Sequence, residues 1–284
     1  MEKVRVRVME ILEKLKILAE GAKYDVSCVS SGSSRKNTGR GVGETFIGGI
    51  CHTFTSDGRC ISLLKVLLSN ECVFNCAYCI NRISSDIPRA TFEPRELAEI
   101  TINFYRRNYI EGLFLSSAVY KNSNYTMELI LKTIKMLREE YMFNGYIHIK
   151  AIPGADYRLI EEAGTYADRM SVNIELPSND SLKLLAPQKK KEIILGPMSF
   201  ISSKIQESKE SIKKYKYAKD FVPAGQSTQL IVGATPEPDL RILKLSEALY
   251  RKYGLRRVFY SAYVPVSNHP ALPRIEKPPL LREH

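Results

Sequence analysis

From residue 60 onward, short β-branched and aromatic runs alternate with stretches whose apolar residues recur every three to four positions. The β-like runs are Lys65 to Ser69, Gly112 to Ser117, Tyr146 to Ile152, Arg169 to Leu176, Thr228 to Gly233 and Arg257 to Val266. Between them, Pro94 stands where a first helical turn tolerates it, with Leu97, Ile100, Phe104 and Tyr105 behind it at helical spacing. Met127, Ile130, Leu131, Ile134 and Leu137 repeat the pattern from Tyr125 to Tyr141. Leu240, Leu243, Leu249 and Tyr250 repeat it from Asp239 to Tyr253, where Gly254 stops the helix. Six strands alternating with helices predict a parallel sheet, and such βα units wind right-handed into an open sheet or a barrel.

The two ends differ in kind. One helix near Val8 to Glu20 precedes a Gly- and Ser-rich stretch from Ser27 to Gly49, so residues 1–60 predict a loop-rich N-terminal cap, and residues 61–268 the α/β unit. Residues 269–284 are proline-rich without periodicity and read as an extended tail or linker. A chain of 284 residues with 44% hydrophobic and 26% charged residues has enough apolar mass for a core, which excludes global disorder. No apolar run reaches the roughly 18 residues of a membrane span, and the start, MEKVRVRVMEILEKLK, lacks a signal-peptide core. A soluble, cytoplasmic protein is expected, with no membrane partner. The net charge of +11 favours polyanionic partners or serves only solubility.

Three of the six cysteines, Cys72, Cys76 and Cys79, form Cys-x3-Cys-x2-Cys in ECVFNCAYCINR, directly after the first β-run. Reduced thiols so close together point to metal chemistry instead of disulfides. Three thiolates on a tight loop suit three irons of a [4Fe-4S] cluster, whose fourth iron stays open to a ligand. A zinc site completed by His52 or a fourth cysteine is the alternative, although only one Cys-x2-Cys knuckle exists here.

The triplet, with Tyr78 before its last cysteine, resembles the radical S-adenosylmethionine (radical SAM) superfamily. The strings YDVSC, ICHTFTSDGRCISLLK, PRATFEP, FYRRNYIEGLFLSS, FNGYIHIKAIPGA, RMSVNIELPS, LKLLAP, ILGPM, PAGQSTQLIVGATPE and FYSAYVPV are similar to its DNA modification/repair radical SAM proteins, associated with uracil-DNA glycosylase-like neighbours. The similarity runs from about Lys14 to Glu283. Members usually continue into a helix-hairpin-helix module after the segment PPLLREH, whereas this sequence ends at His284. The resemblance implies a partial (β/α)6 TIM-like barrel of the radical SAM type, with a [4Fe-4S] cluster on Cys72, Cys76 and Cys79 and S-adenosyl-L-methionine as cofactors. It further implies reductive cleavage of S-adenosylmethionine, action on DNA, an electron donor such as flavodoxin or ferredoxin, and a uracil-DNA glycosylase-like partner.

Alternation along a strand puts Tyr146, His148 and Lys150 on one face and Ser171, Asn173 and Glu175 on one face. The helix-covered side of a parallel barrel must be apolar, so these polar sets are expected inside, lining a wet cavity. Ser116, Ser117, Lys150 and Glu175 fall at the carboxyl ends of strands, where barrels place their chemistry. The resemblance puts the Ser116-Ser117-Ala118 turn where the superfamily often has Gly-Gly-Glu, a contact for the methionine amine. That glutamate is absent, so Glu175 or Asn173 is expected to contact the amine or ribose, with Tyr78 and Lys150 also in the cofactor site. Gln226, Gln229, Tyr260 and Tyr263 are further candidates, and Val264-Pro265-Val266 offers an apolar wall for adenine.

Cys28, Cys51 and Cys60 either ligate a second iron–sulfur cluster or are inert buried thiols. Phe200 to Lys219 reads as a basic amphipathic helix with Ile201, Ile205, Ile212 and Tyr215 on one face, either a solvated surface or a phosphate-tracking one. Lys189 to Lys191 and the group Arg35, Lys36 and Arg40 add two basic clusters. A nucleic-acid-binding protein with a structural metal, and a radical SAM enzyme acting on RNA or a small molecule, stand as alternatives.

Overall fold

The structure, a computed structural model, describes residues 2–23, 50–54, 60–215, 217–266, 268–275 and 279–284. Helix α1 (Glu2–Ala22) is followed by β1 (Ile50–Phe54), β2 (Cys60–Leu67), α2 (Pro94–Arg106), β3 (Gly112–Ser116), α3 (Ser123–Lys135), β4 (Tyr146–Lys150) and α4 (Tyr157–Tyr166). The second half holds β5 (Arg169–Ser171), α5 (Asn179–Leu185), α6 (Lys191–Lys214), β6 (Gln226–Val232), α7 (Asp239–Tyr253), β7 (Arg257–Ala262) and α8 (Leu280–Glu283). The sheet runs β1 to β7 in chain order. Strands β2 to β7 are parallel and β1 is antiparallel on β2. The expected six-stranded α/β half-barrel is therefore present.

Its outer layer follows the periodicity. Ile147 and Ile149 of β4 are fully buried under the helices, as are Met127, Ile130 and Ile134 of α3. Gly254 closes α7 in the left-handed conformation, at φ 58°. Four differences from the sequence reading have local causes. First, β1 lies where a loop-rich cap is expected: Ile50–Phe54 pairs with β2, whose start at Cys60 is earlier than the run from Lys65. Second, β5 stops at Ser171, because the Thr228 hydroxyl donates to the carbonyl of Val172 (2.7 Å) and accepts from the amide of Ile174 (2.8 Å). A side chain there takes the place of the strand ladder. Third, the helix expected to reach Tyr141 changes to a π-helical turn over Met136–Glu140, in which the Arg138 side chain binds the carbonyls of Tyr166 and Gly145 and the Asp168 carboxylate. Fourth, the expected extended tail ends in the short α8, with Pro279 packed where a Cβ on Gly233 would stand 2.5 Å away.

The barrel interior is not a continuous wet cavity. The His148 ring lies 4.4 Å, centroid to centroid, from that of Phe114, and its Nε2 is 3.0 Å from the Ser171 hydroxyl. Burial, then Arg169 and Lys150, push the His148 imidazole well below its usual range and keep it neutral. These side chains occupy the floor, and a cavity opens toward the carboxyl ends of the strands. Helix α1 borders that end: Gly21 lets it approach β2, where a Cβ would meet Leu67 at 2.8 Å, and Lys14 holds Glu96 of α2 at 3.0 Å. No described helix is long and apolar enough to cross a membrane.

Candidate functional site

The cysteine loop leaves β2 and is fastened on both sides. The amide of Val73 donates to the carbonyl of Val119 (2.9 Å) after β3, and that of Ala77 to the carbonyl of Leu185 (2.7 Å) at the end of α5. Within the loop, the Cys79 amide closes a turn on the Cys76 carbonyl (3.0 Å), and the Phe74 amide points at Cys72 Sγ (3.4 Å). Beneath it, buried Asn70 bonds the Pro88 carbonyl and the Ala90 amide, both at 2.8 Å. Arg89 is the main clamp. Its guanidinium donates to the carbonyls of Asn70 (2.6 Å), Asn81 (3.0 Å), Arg82 (2.7 Å) and Ser85 (2.7 Å), joining the strand end to the far side of the cysteine turn. Sequence reasoning missed Arg89; its only signal is its place in PRATFEP, ten residues past the motif.

Cys72, Cys76 and Cys79 are free thiols and all line one cavity at the barrel mouth, with about 1210 Å³ of empty space, part of it open to solvent. Tyr78, Ser117, Lys150, Asn173, Glu175 and Gln229 line it too, as do Tyr263, Val264 and Val266. Three candidates lie elsewhere. Ser116 is buried outside the lining; Gln226 donates to the carbonyls of Met198 and Tyr253 on the helical side; the Tyr260 hydroxyl bonds Ser246 of α7. Cys28, Arg35, Lys36 and Arg40 lie outside the described residues, and the backbones of Cys51, His52 and Cys60 belong to the β1–β2 hairpin.

The strongest electrostatic feature is an ion pair that the sequence hid. Lys189 reads there as part of a surface run, but its ammonium is folded inward, 2.7 Å from Glu175 and 6.0 Å from the centre of the Tyr78 ring. Both side chains are largely buried, at 15% and 12% exposure. Burial disfavours the Lys189 charge, but the Glu175 carboxylate beside it outweighs that and holds the ammonium well above the usual lysine range. Glu175 sits at φ +66°, a conformation rarely adopted by non-glycine residues, and is held there by β6: its amide donates to the carbonyl of Gln229 (3.1 Å) and its carbonyl accepts from Ile231 (2.8 Å). Lys150 reaches the Gln229 carboxamide oxygen at 3.4 Å. The Asn173 Oδ1 and the hydroxyls of Tyr78 and Tyr263 are buried with no partner among the described residues, three polar atoms on the cavity that a ligand can satisfy.

The thiols are poised for metal instead of free nucleophilic chemistry. Burial raises Cys76, with Lys189 opposing, and burial together with Cys76 pushes Cys79 up to about 12. Both are therefore protonated at neutral pH until a metal displaces the protons. The donor set fits an iron–sulfur cluster: three cysteines lining one cavity, with an amide directed at the sulfur of one of them and further space for a ligand. Among the described residues no three His, Cys, Asp or Glu side chains are gathered tightly enough to hold a single metal ion.

Fold and site together define the class: a partial (β/α)6 barrel with a thiol-lined cavity at the carboxyl ends of its strands. Among solved structures the chain is similar to HydG, a maturase of the [FeFe]-hydrogenase, with a TM-score of 0.55 and 15% identity over 74% of this chain and 45% of that one. HydG from Carboxydothermus hydrogenoformans gives 0.53 and 14% identity over 72% and 46%. The cobalamin-dependent S-adenosylmethionine radical enzyme OxsB gives 0.41 and 11% over 69% and 32%. This chain thus spans less than half the length of either HydG chain, and the HydG likeness establishes the fold. No protein-family model and no curated protein matches the sequence.

Proposed function

We propose that the protein is a radical SAM enzyme in which Cys72, Cys76 and Cys79 hold a [4Fe-4S] cluster. The observation that carries this reading is the meeting of all three thiols and the Glu175–Lys189 pair on one cavity of a partial barrel. A reduced cluster bound there with a sulfonium cofactor would supply one electron for cleavage of that cofactor; the chain would supply position and exclusion of water. Glu175 and Lys189 would bind the two charged ends of an α-amino acid, the carboxylate of Glu175 the amino group and Lys189 the carboxylate. Ile231, Ala262, Val264 and Val266 form the apolar wall for adenine. Asn173, Gln229 and Lys150 provide polar contacts to ribose or substrate. The substrate in this reading is DNA, supported by the resemblance and the +11 charge, with a nucleotide unstacked to reach the cavity.

Anaerobic reconstitution with iron and sulfide tests the metal. About four irons per chain at this motif, lost in Cys72→Ala, Cys76→Ala and Cys79→Ala, is the expected result. Stoichiometric zinc with no iron uptake would leave a basic binding protein with a structural metal.

A further inference from the structure

Helix α6 is packed at one end and bare at the other. Ile194, Met198 and Ile201 are fully buried and Ile205 packs against the core. The apolar face of the helix then leaves the protein: Ile212 is 41% exposed, and just beyond the helix end at Lys214 the tyrosines Tyr215 and Tyr217 are 68% and 90% exposed. The sequence predicts Ile212 and Tyr215 on one helical face with Ile201 and Ile205; the helix ends at Lys214, and the core covers that face only over its first part.

The return of the chain makes this end a defined projection. The Ser208 hydroxyl donates to the Lys219 carbonyl and accepts from the Phe221 amide, closing the base of an excursion over residues 209–220. Phe221 and Val222 are buried below it, Phe221 against Gly164, where a Cβ would clash with its ring. The Tyr215 amide donates to Ser211 and that of Ala218 to Tyr215, so the turn at the tip is hydrogen-bonded. The excursion, KESIKKYKYAKD, carries five lysines and two acids. Lys204, nearer the barrel, is held by Glu161 and Glu207 at 2.9 Å each, whereas Lys209, Lys213, Lys214 and Lys219 are exposed and ion-paired to no described residue.

Two exposed tyrosines among unneutralised lysines match the two needs of an unpaired strand, flat surfaces for bases and cations for phosphates. A duplex offers the phosphates but keeps its base faces stacked. We propose that this projection docks single-stranded DNA, Tyr215 and Tyr217 stacking on bases while Lys209, Lys213, Lys214 and Lys219 track the backbone. The inference rests on the DNA reading above and adds where and in what form the strand is held.

The test is fluorescence anisotropy of the full chain with a labelled 20-nucleotide oligothymidylate, the matching duplex and an oligouridylate, over a series of KCl concentrations. Tyr215→Ala/Tyr217→Ala should weaken oligothymidylate binding by about 5- to 150-fold per base engaged and leave the salt slope unchanged. Lys213→Gln/Lys214→Gln should lower that slope by about 1.4, or 0.7 per phosphate released. Duplex binding should be weaker and indifferent to the tyrosines. Wild-type affinity in the tyrosine variant, with the wild type binding the oligonucleotide, overturns the docking site and leaves the DNA reading standing. Absence of DNA binding by the wild type, or tyrosine-dependent binding of oligouridylate alone, overturns both.

Discussion

Replacing Arg89 by alanine removes four hydrogen bonds from one guanidinium to the carbonyls of Asn70, Asn81, Arg82 and Ser85, and with them the tie between the end of β2 and the cysteine turn. Hydrogen bonds from charged donors contribute about 1.5–3 kcal/mol each when buried. Arg89 is half-buried and the released carbonyls regain some water, so about 1 kcal/mol each, or about 4 kcal/mol in all, is the appropriate scale. For a chain of this size that is a fall in Tm of about 6–7 °C. Arg89→Lys should recover little, because an ammonium cannot present a planar fork to carbonyls on several sides. The assay is thermal and urea unfolding of the metal-free protein, followed by iron content after reconstitution, which should drop in parallel. A loss below about 0.5 kcal/mol with full iron uptake would refute the clamp, since surface changes without a structural role fall in that range.

Breaking the buried pair by Lys189→Met should cost about 3–5 kcal/mol by stranding Glu175, while a Lys189→Met/Glu175→Leu double variant regains most of it; urea unfolding of both checks the difference. The raised Lys189 contributes stability that is full below the unfolded lysine value near 10.4 and is lost as pH rises through the still higher folded value, so wild type minus double variant should be flat from pH 6 to 9 and shrink only in alkali. His148 has the opposite sign: its folded value lies below the unfolded 6.5, so stability falls as pH drops below 6.5, by up to about 1.4 kcal/mol per unit, and His148→Gln should flatten that slope in denaturant titrations from pH 7.5 to 5. Gly112→Ala would put a Cβ 2.3 Å from the Tyr146 carbonyl oxygen between β3 and β4; a loss of about 1–3 kcal/mol or more is expected, and wild-type Tm would contradict the close approach.

The legible parts of the fold were those governed by period. Helices α2 and α7 follow from apolar spacing because one face of each is covered by the core, and strands β3 and β4 from short β-rich runs buried in the sheet. What the sequence concealed depended on single side chains that replace backbone bonds or reverse their own local pattern. Thr228 takes the place of ladder bonds past β5, Arg138 fastens a π-helical turn to the neighbouring carbonyls, and neither is visible as periodicity. The site divides in the same way. Cys72, Cys76 and Cys79 announce themselves by spacing, and Lys150, Asn173 and Glu175 by strand alternation, and all face the cavity. Lys189 was hidden because a lysine in a run of three reads as solvated, and only its fold back onto Glu175 distinguishes it from Lys190. Exposure at the end of α6 was hidden for a related reason: helical periodicity states which face is apolar and not how far the surface beneath it extends.

The central claim is that this cavity performs reductive cleavage of S-adenosylmethionine. The most direct measurement is 5′-deoxyadenosine formed by the anaerobically reconstituted protein with dithionite and S-adenosylmethionine, in wild type, Cys76→Ala and Glu175→Gln. The account predicts nucleoside from the wild type, none from Cys76→Ala, and a weakened dependence on cofactor concentration in Glu175→Gln. Wild-type protein that carries a full iron–sulfur cluster and yields no 5′-deoxyadenosine would contradict it.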